Sequence, residues 1–152
     1  MKRLALYCLL ASAALADGVI HSATGSGRIQ FATNQESISF SAVQHANGTV
    51  TGNAEVHDIS ADVTVGIDVN CLNVIGNVAT ISGIVTRSSD PSRVPVGDEG
   101  IFQVVDNGQG NGQTPPDFMS LANFFEVGVG SDCNAPGEFD LSPVENGNIQ
   151  VR

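Results

Sequence analysis

The densest run of chemically capable side chains is Asp106-Asn107-Gly108-Gln109-Gly110-Asn111-Gly112, with Asp117 shortly after it. Hard cations such as Ca2+ take carboxylate, amide and backbone carbonyl oxygens, and a glycine-rich loop can turn its carbonyls inward. Asp106, Asn107 and Asp117 are therefore the candidate metal ligands, and calcium is the candidate ion; no other cofactor is implied. The spacing is not that of an EF-hand, because the third and fifth loop positions are glycine. The same run also fits an Asx/Gly turn after a strand, in which Asp106 bonds its own neighbouring backbone.

Other chemistry is thinner. In a hairpin register that pairs Phe40 with Ala54, His57 lies opposite Ser37, eight residues along the strand from His45. At ~3.4 Å per residue that is roughly 27 Å, too far for one metal. His57 and Asp58 are neighbours, but adjacent strand residues point to opposite faces. No G-x-S-x-G nucleophile elbow occurs. A glycosidase-like pair of carboxylates needs a fixed separation, which a sequence does not contain. Phe118, Met119, Phe124 and Phe125 cluster after the loop; they fit core packing, or the lining of a small apolar ligand site in a barrel. Asn47-Gly48-Thr49 is a glycosylation sequon that also fits a hairpin turn.

Residues 1–16, MKRLALYCLLASAALA, have a basic start (Lys2, Arg3), a short apolar run and a small-x-small end. That order predicts a signal peptide cleaved before Asp17, and the apolar run is shorter than the ~20 residues of a membrane span. Tyr7 directly before Cys8 argues against a lipid-modified cysteine. What remains, residues 17–152, is expected to be a single soluble domain that is secreted and extracellular. It has four basic residues, Arg28, Arg87, Arg93 and Arg152, against sixteen acids, a formal charge of −12, with no Lys, Tyr or Trp. Such a balance argues against a nucleic acid or an anionic membrane as partner. Without Tyr or Trp the usual aromatic platform for sugars is missing. Two cysteines remain, Cys71 and Cys133, and an even count in an exported chain predicts one disulfide. Closing that loop of 62 residues stabilises by roughly 3–5 kcal/mol.

The elements that must position these residues are strands. Ile38, Phe40 and Ala42 alternate with serines, and Val63, Val65, Ile67 and Val69 alternate with polar residues and glycine. Leu72 and Val74 then fall on the other parity, which predicts a β-bulge near Asn70-Cys71. Further strands are expected over residues 27–33, 50–56, 78–86, 101–105, 119–125 and 148–151, with Gly25-Ser26-Gly27 as a flexible lead-in. Turn signals stand at Asn47-Gly48, Gly76-Asn77 and Asn146-Gly147. A three-residue loop, Ala46-Asn47-Gly48, pairs Phe40 with Ala54 and Ile38 with Val56, apolar with apolar, and puts Gly48 in the left-handed position. The expected fold class is all-β: an antiparallel meander of about eight strands, barrel or sandwich, with one disulfide. The long loops, residues 87–97 and 107–117, are where function on such a scaffold is expected.

Three segments carry a resemblance. They are CLNVIGNVATISG from Cys71, FQVVDNGQG from Phe102 with Asp117 after it, and GNIQV from Gly147. In order and spacing they resemble the post-COAP-1-type domains, small secreted bacterial β-rich domains of unknown function. Those domains share a GN-x-A-x-x-SG turn and strand, a V-x-DNG-x-G loop followed by Asp, and a terminal GNIQ strand. The family usually has Glu after its DNG, where this chain has Gln109, so one anionic group is missing. The resemblance implies fold and export, and it implies no catalytic residues. The resulting expectation is a secreted, non-catalytic domain with a binding or structural role. Its alternatives are a lipocalin-like apolar-ligand barrel and a secreted hydrolase.

Overall fold

The computed structural model describes residues 18–108 and 114–152. The expected signal peptide, its cleavage point before Asp17, and residues 109–112 of the candidate loop lie outside the described residues.

Among those residues there is no helix, and the strands form one antiparallel sheet that curls into a half-barrel. The strands are β1 (Val19–Phe31), β2 (Asn34–His45), β3 (Val50–Asp58), β4 (Val63–Ile75), β5 (Val78–Ser88), β6 (Glu99–Val105), β7 (Phe118–Ser120), β8 (Asn123–Phe125), β9 (Leu141–Pro143) and β10 (Asn146–Val151). Their order across the sheet is β10-β1-β2-β3-β4-β5-β6-β7-β9, with β8 also on β6.

The alternation of β2 and β3 settles their register. Phe40 pairs with Ala54 and Ile38 with Val56. Gly48 closes the hairpin at φ +86°, a conformation that glycine adopts at no steric cost. The parity change in β4 is a bulge at Asn70: Val69 pairs with Gly83 and Cys71 with Ser82. The extra residue returns Leu72 to the interior with Val65 and Ile67, all nearly inaccessible. The interior is filled. Phe40 and Phe102 meet edge to face with ring centroids 5.5 Å apart, a geometry that adds about 0.5–1.5 kcal/mol to their burial.

Three expectations need correction. Residues 119–125 do run along β6, but not as one strand. Val104 pairs with Met119 whereas Ile101 pairs with Asn123, so the register slips by one residue at Leu121-Ala122. Gly25-Ser26-Gly27 is no flexible lead-in: it lies inside β1, paired with both β2 and β10. Asn146-Gly147 is no turn either. Gly147 faces Gly27 inside β10 at φ +137°, and a Cβ there would run into the Ser26 carbonyl. Glycine here serves close strand approach, which a turn signal does not distinguish from chain reversal. β9 is a further, unexpected strand, three residues ending in proline.

The outer face of β4–β6 is covered as well. The Cys71–Cys133 disulfide ties residues of the β8–β9 connection to β4, and the Asn73 side-chain amide donates to the Cys133 carbonyl at 3.1 Å. Thr80, Ser82 and Ile101, on the face opposite the core, are buried as a result.

Gly147→Ala is expected to destabilise the protein by more than about 1 kcal/mol, since Ala suffers both at that φ and against the Ser26 backbone. Urea unfolding followed by circular dichroism measures it; wild-type stability would show that β1 and β10 can separate at no cost.

Candidate functional site

Asp106, Asn107 and Asp117 come together where the two edges of the curled sheet meet. The β9–β10 link is two residues long, and its bonds go to opposite edges. Val144 N–H donates to the Asp117 carbonyl beside β7, and Glu145 N–H donates to the Arg28 carbonyl of β1. Beyond it, β10 has no strand on its second side, and its outward N–H groups are met by carboxylates. Asp117 Oδ2 accepts from Ile149 N–H and Asp106 Oδ2 accepts from Val151 N–H, both at 2.9 Å. The remaining oxygens hold the loop itself: Asp117 Oδ1 accepts from Asn107 N–H at 2.8 Å, and Asp106 Oδ1 from Gly108 N–H at 2.9 Å. The Asn107 side chain donates to the Pro116 carbonyl and accepts from Asn77 in the β4–β5 turn. Asp117 is only 5% exposed. These residues form a seam in which every carboxylate oxygen accepts a backbone N–H.

The second site was not anticipated. Glu36 of β2 pairs directly with Asp58 of β3, and both lie on the face of Ile38 and Val56. They line a cleft of about 280 Å3 with Val56, Val63 and Val65 behind them, Arg93 and Val94 from the β5–β6 loop, and Ala122, Asn123 and Phe124 from the β7–β8 step. Glu36 is 6% exposed. Its Oε1 accepts from Ala122 N–H at 2.7 Å, the group left without a strand partner at the β7–β8 slip. Its Oε2 accepts from no described residue. Burial away from water pushes the Glu36 carboxyl up from 4.5 to about 7; the Ala122 N–H pulls it partly back, and Asp58 pushes it up further. Asp58 is held by Ala61 N–H at 3.0 Å and faces the Arg93 guanidinium at 3.6 Å. A signal for this site was present. Glu36 has the parity of Ile38, Phe40 and Ala42, and a charged residue on a core face is expensive unless it has work to do.

The other candidate residues lie apart from one another. His45 bonds Thr51 near the β2–β3 hairpin, whereas His57 faces Asp62 at 3.6 Å on the far end of that ribbon. Asn47 Oδ1 accepts from the Thr49 N–H and hydroxyl, an Asx turn that closes the hairpin. Met119 is a core residue, Phe124 lines the Glu36 cleft, and Phe125 lines a separate cleft of about 290 Å3 with Phe31 and Phe139. Among the described residues, no group of three or more His, Cys, Asp or Glu side chains is gathered as for a metal ion.

No protein-family model, curated protein or solved structure matches this chain.

Two outcomes follow from the geometry. Asp117→Ala leaves Ile149 and Asn107 N–H without acceptors and is expected to cost about 2–4 kcal/mol in urea unfolding; a loss below about 0.5 kcal/mol would remove Asp117 from the seam. Glu36, with its folded value raised from 4.5 to about 7, contributes stability that is complete below about pH 4.5 and is lost as pH rises through about 7. The shift corresponds to about 3 kcal/mol. Relative to wild type, Glu36→Gln should therefore gain stability steadily between pH 5 and pH 8. A pH-independent difference between the two would show that Glu36 is ionised at both ends.

Proposed function

We propose that this chain is an exported β domain whose work is binding rather than catalysis, with the Glu36 cleft as its binding site. The observation that carries this is a nearly buried carboxylate with one oxygen left over, set beside an apolar wall of Val56, Val63, Val65 and Phe124. Small-molecule sites have this character: mostly apolar, with a few placed polar groups. Export is supported by the disulfide, which an oxidising compartment permits, and by the residues at the start of the chain. The likeness to post-COAP-1-type domains belongs to the same proposal.

The alternatives have less support. A lipocalin-like carrier needs an open interior, and Ile81, Phe102 and Met119 fill this one. Calcium at Asp106, Asn107 and Asp117 would compete with the N–H groups those carboxylates already hold. A hydrolase would use Glu36 and Asp58 as its acid pair, but Asp58 is engaged by Ala61 and Arg93.

The test is an amide-resolved NMR screen of small fragments against the disulfide-bonded protein. Hits are expected to shift the amides of Glu36, Asp58 and Ala122; hits scattered over the surface, or none, would remove the cleft as a binding site. A parallel circular dichroism melt is expected to give one Tm in EDTA and in millimolar Ca2+. A rise of several degrees with Ca2+ would assign the ion to the folded chain by linkage.

A further inference from the structure

We propose that the Glu36 cleft takes an organic ammonium, a primary amine carrying a small apolar group. This rests on the cleft being a binding site and adds the chemistry of its ligand. The charged groups facing Glu36 are Asp58 across the strand pair and Arg93 on the β5–β6 loop; Ala122, Asn123 and Phe124 on the opposite wall carry no charge. Two carboxylates thus face one guanidinium, and that guanidinium sits 3.6 Å from Asp58 at the more exposed side. The unmatched acid is Glu36, and its open oxygen, Oε2, accepts from no described residue. An ionised carboxylate so little exposed is costly unless a cation or further donors reach it. An ammonium supplies both, with N–H groups for Oε2 and a positive charge between Glu36 and Asp58. Its hydrocarbon part then lies on the valines and Phe124, displacing water from apolar surface. The cleft is at the small end of ligand pockets, so the apolar group is a short chain or one ring. A divalent metal fits less well, because Ca2+ asks for six to eight oxygens and Arg93 repels it.

An ammonium binds the ionised form of Glu36, so binding expels a proton wherever Glu36 is protonated in the free protein. Affinity then rises with pH until Glu36 is ionised without help.

The experiment titrates the disulfide-bonded protein with benzylammonium and, separately, with benzyl alcohol, the same shape without the charge, following amide shifts. At pH 8 benzylammonium is expected to shift Glu36, Asp58 and Ala122 and to bind at least tenfold more tightly than benzyl alcohol. From pH 8 to pH 6, where benzylammonium stays charged, its affinity should fall by about tenfold. Glu36→Gln keeps an acceptor for Ala122 N–H and loses the charge, and should weaken benzylammonium at least tenfold while leaving benzyl alcohol unchanged. If Glu36→Gln does not fold, Asp58→Asn and the wild-type pH profile carry the test, each with a several-fold loss expected. Equal binding of the two probes, or a flat pH profile, overturns the ammonium proposal and leaves the cleft as a site for neutral ligands. Binding of neither probe also overturns it; the fragment screen then decides separately whether the cleft binds anything.

Discussion

A buried backbone N–H that the curled sheet leaves without a strand partner must find an acceptor, and along β10 and at the β7–β8 step the acceptors are side-chain oxygens. Three such places bear on the seam and the cleft, and at each a side-chain oxygen takes the N–H. At the seam, Asp106 and Asp117 stand in for the strand that β10 lacks. Where β7 leaves β6, the Ser120 hydroxyl accepts from Gln103 N–H at 2.9 Å. One step further, Glu36 reaches across the interior to Ala122. Without the first of these, β10 would present unpaired N–H groups beside the core residue Ile149. The filled interior and the joined edges are consequences of that pairing.

Glu36 shows how one carboxyl can serve the fold and still line a cleft. The same carboxyl that satisfies Ala122 has to be buried to reach it, and burial holds its proton up to about 7. One oxygen belongs to the fold, and the other accepts from no described residue. A substitution that preserves the first role and alters the second is available because Gln retains the acceptor. Asp117 offers no such separation, since both of its oxygens are committed to backbone N–H groups.

Legibility in the sequence tracks the range of the interaction. The β2–β3 register and the Asn70 bulge are readable, because alternation and one turn settle which residues share a face. The cysteine pair is readable from its count and setting. Gly25 and Gly147 mislead, because the close approach of β1 and β10 joins segments far apart in sequence. The seam is half readable: Asp106, Asn107 and Asp117 stand out as a group, but their donors, Ile149 and Val151, belong to a distant strand. Glu36 and Asp58 are one step beyond the register that alternation gives, being the next pair on the face of Ile38 and Val56. Their cleft is not readable, since its other walls come from residues 93–94 and 122–124.

The pairing of β1 with β10 also bears on how the chain comes to be folded. Ala23 meets Val151, 128 residues later, and Ser22 exchanges two 2.8 Å backbone bonds with Arg152. The inner meander from β2 to β6 can form strand by strand, but β1 keeps one side unpaired until β10 arrives. Contacts of such separation form late, because a long loop must close before they return any energy. Until residues 146–151 are in place, one side of β1 therefore stays open. β10 then acts as a latch, drawn shut on its far side by Asp106 and Asp117.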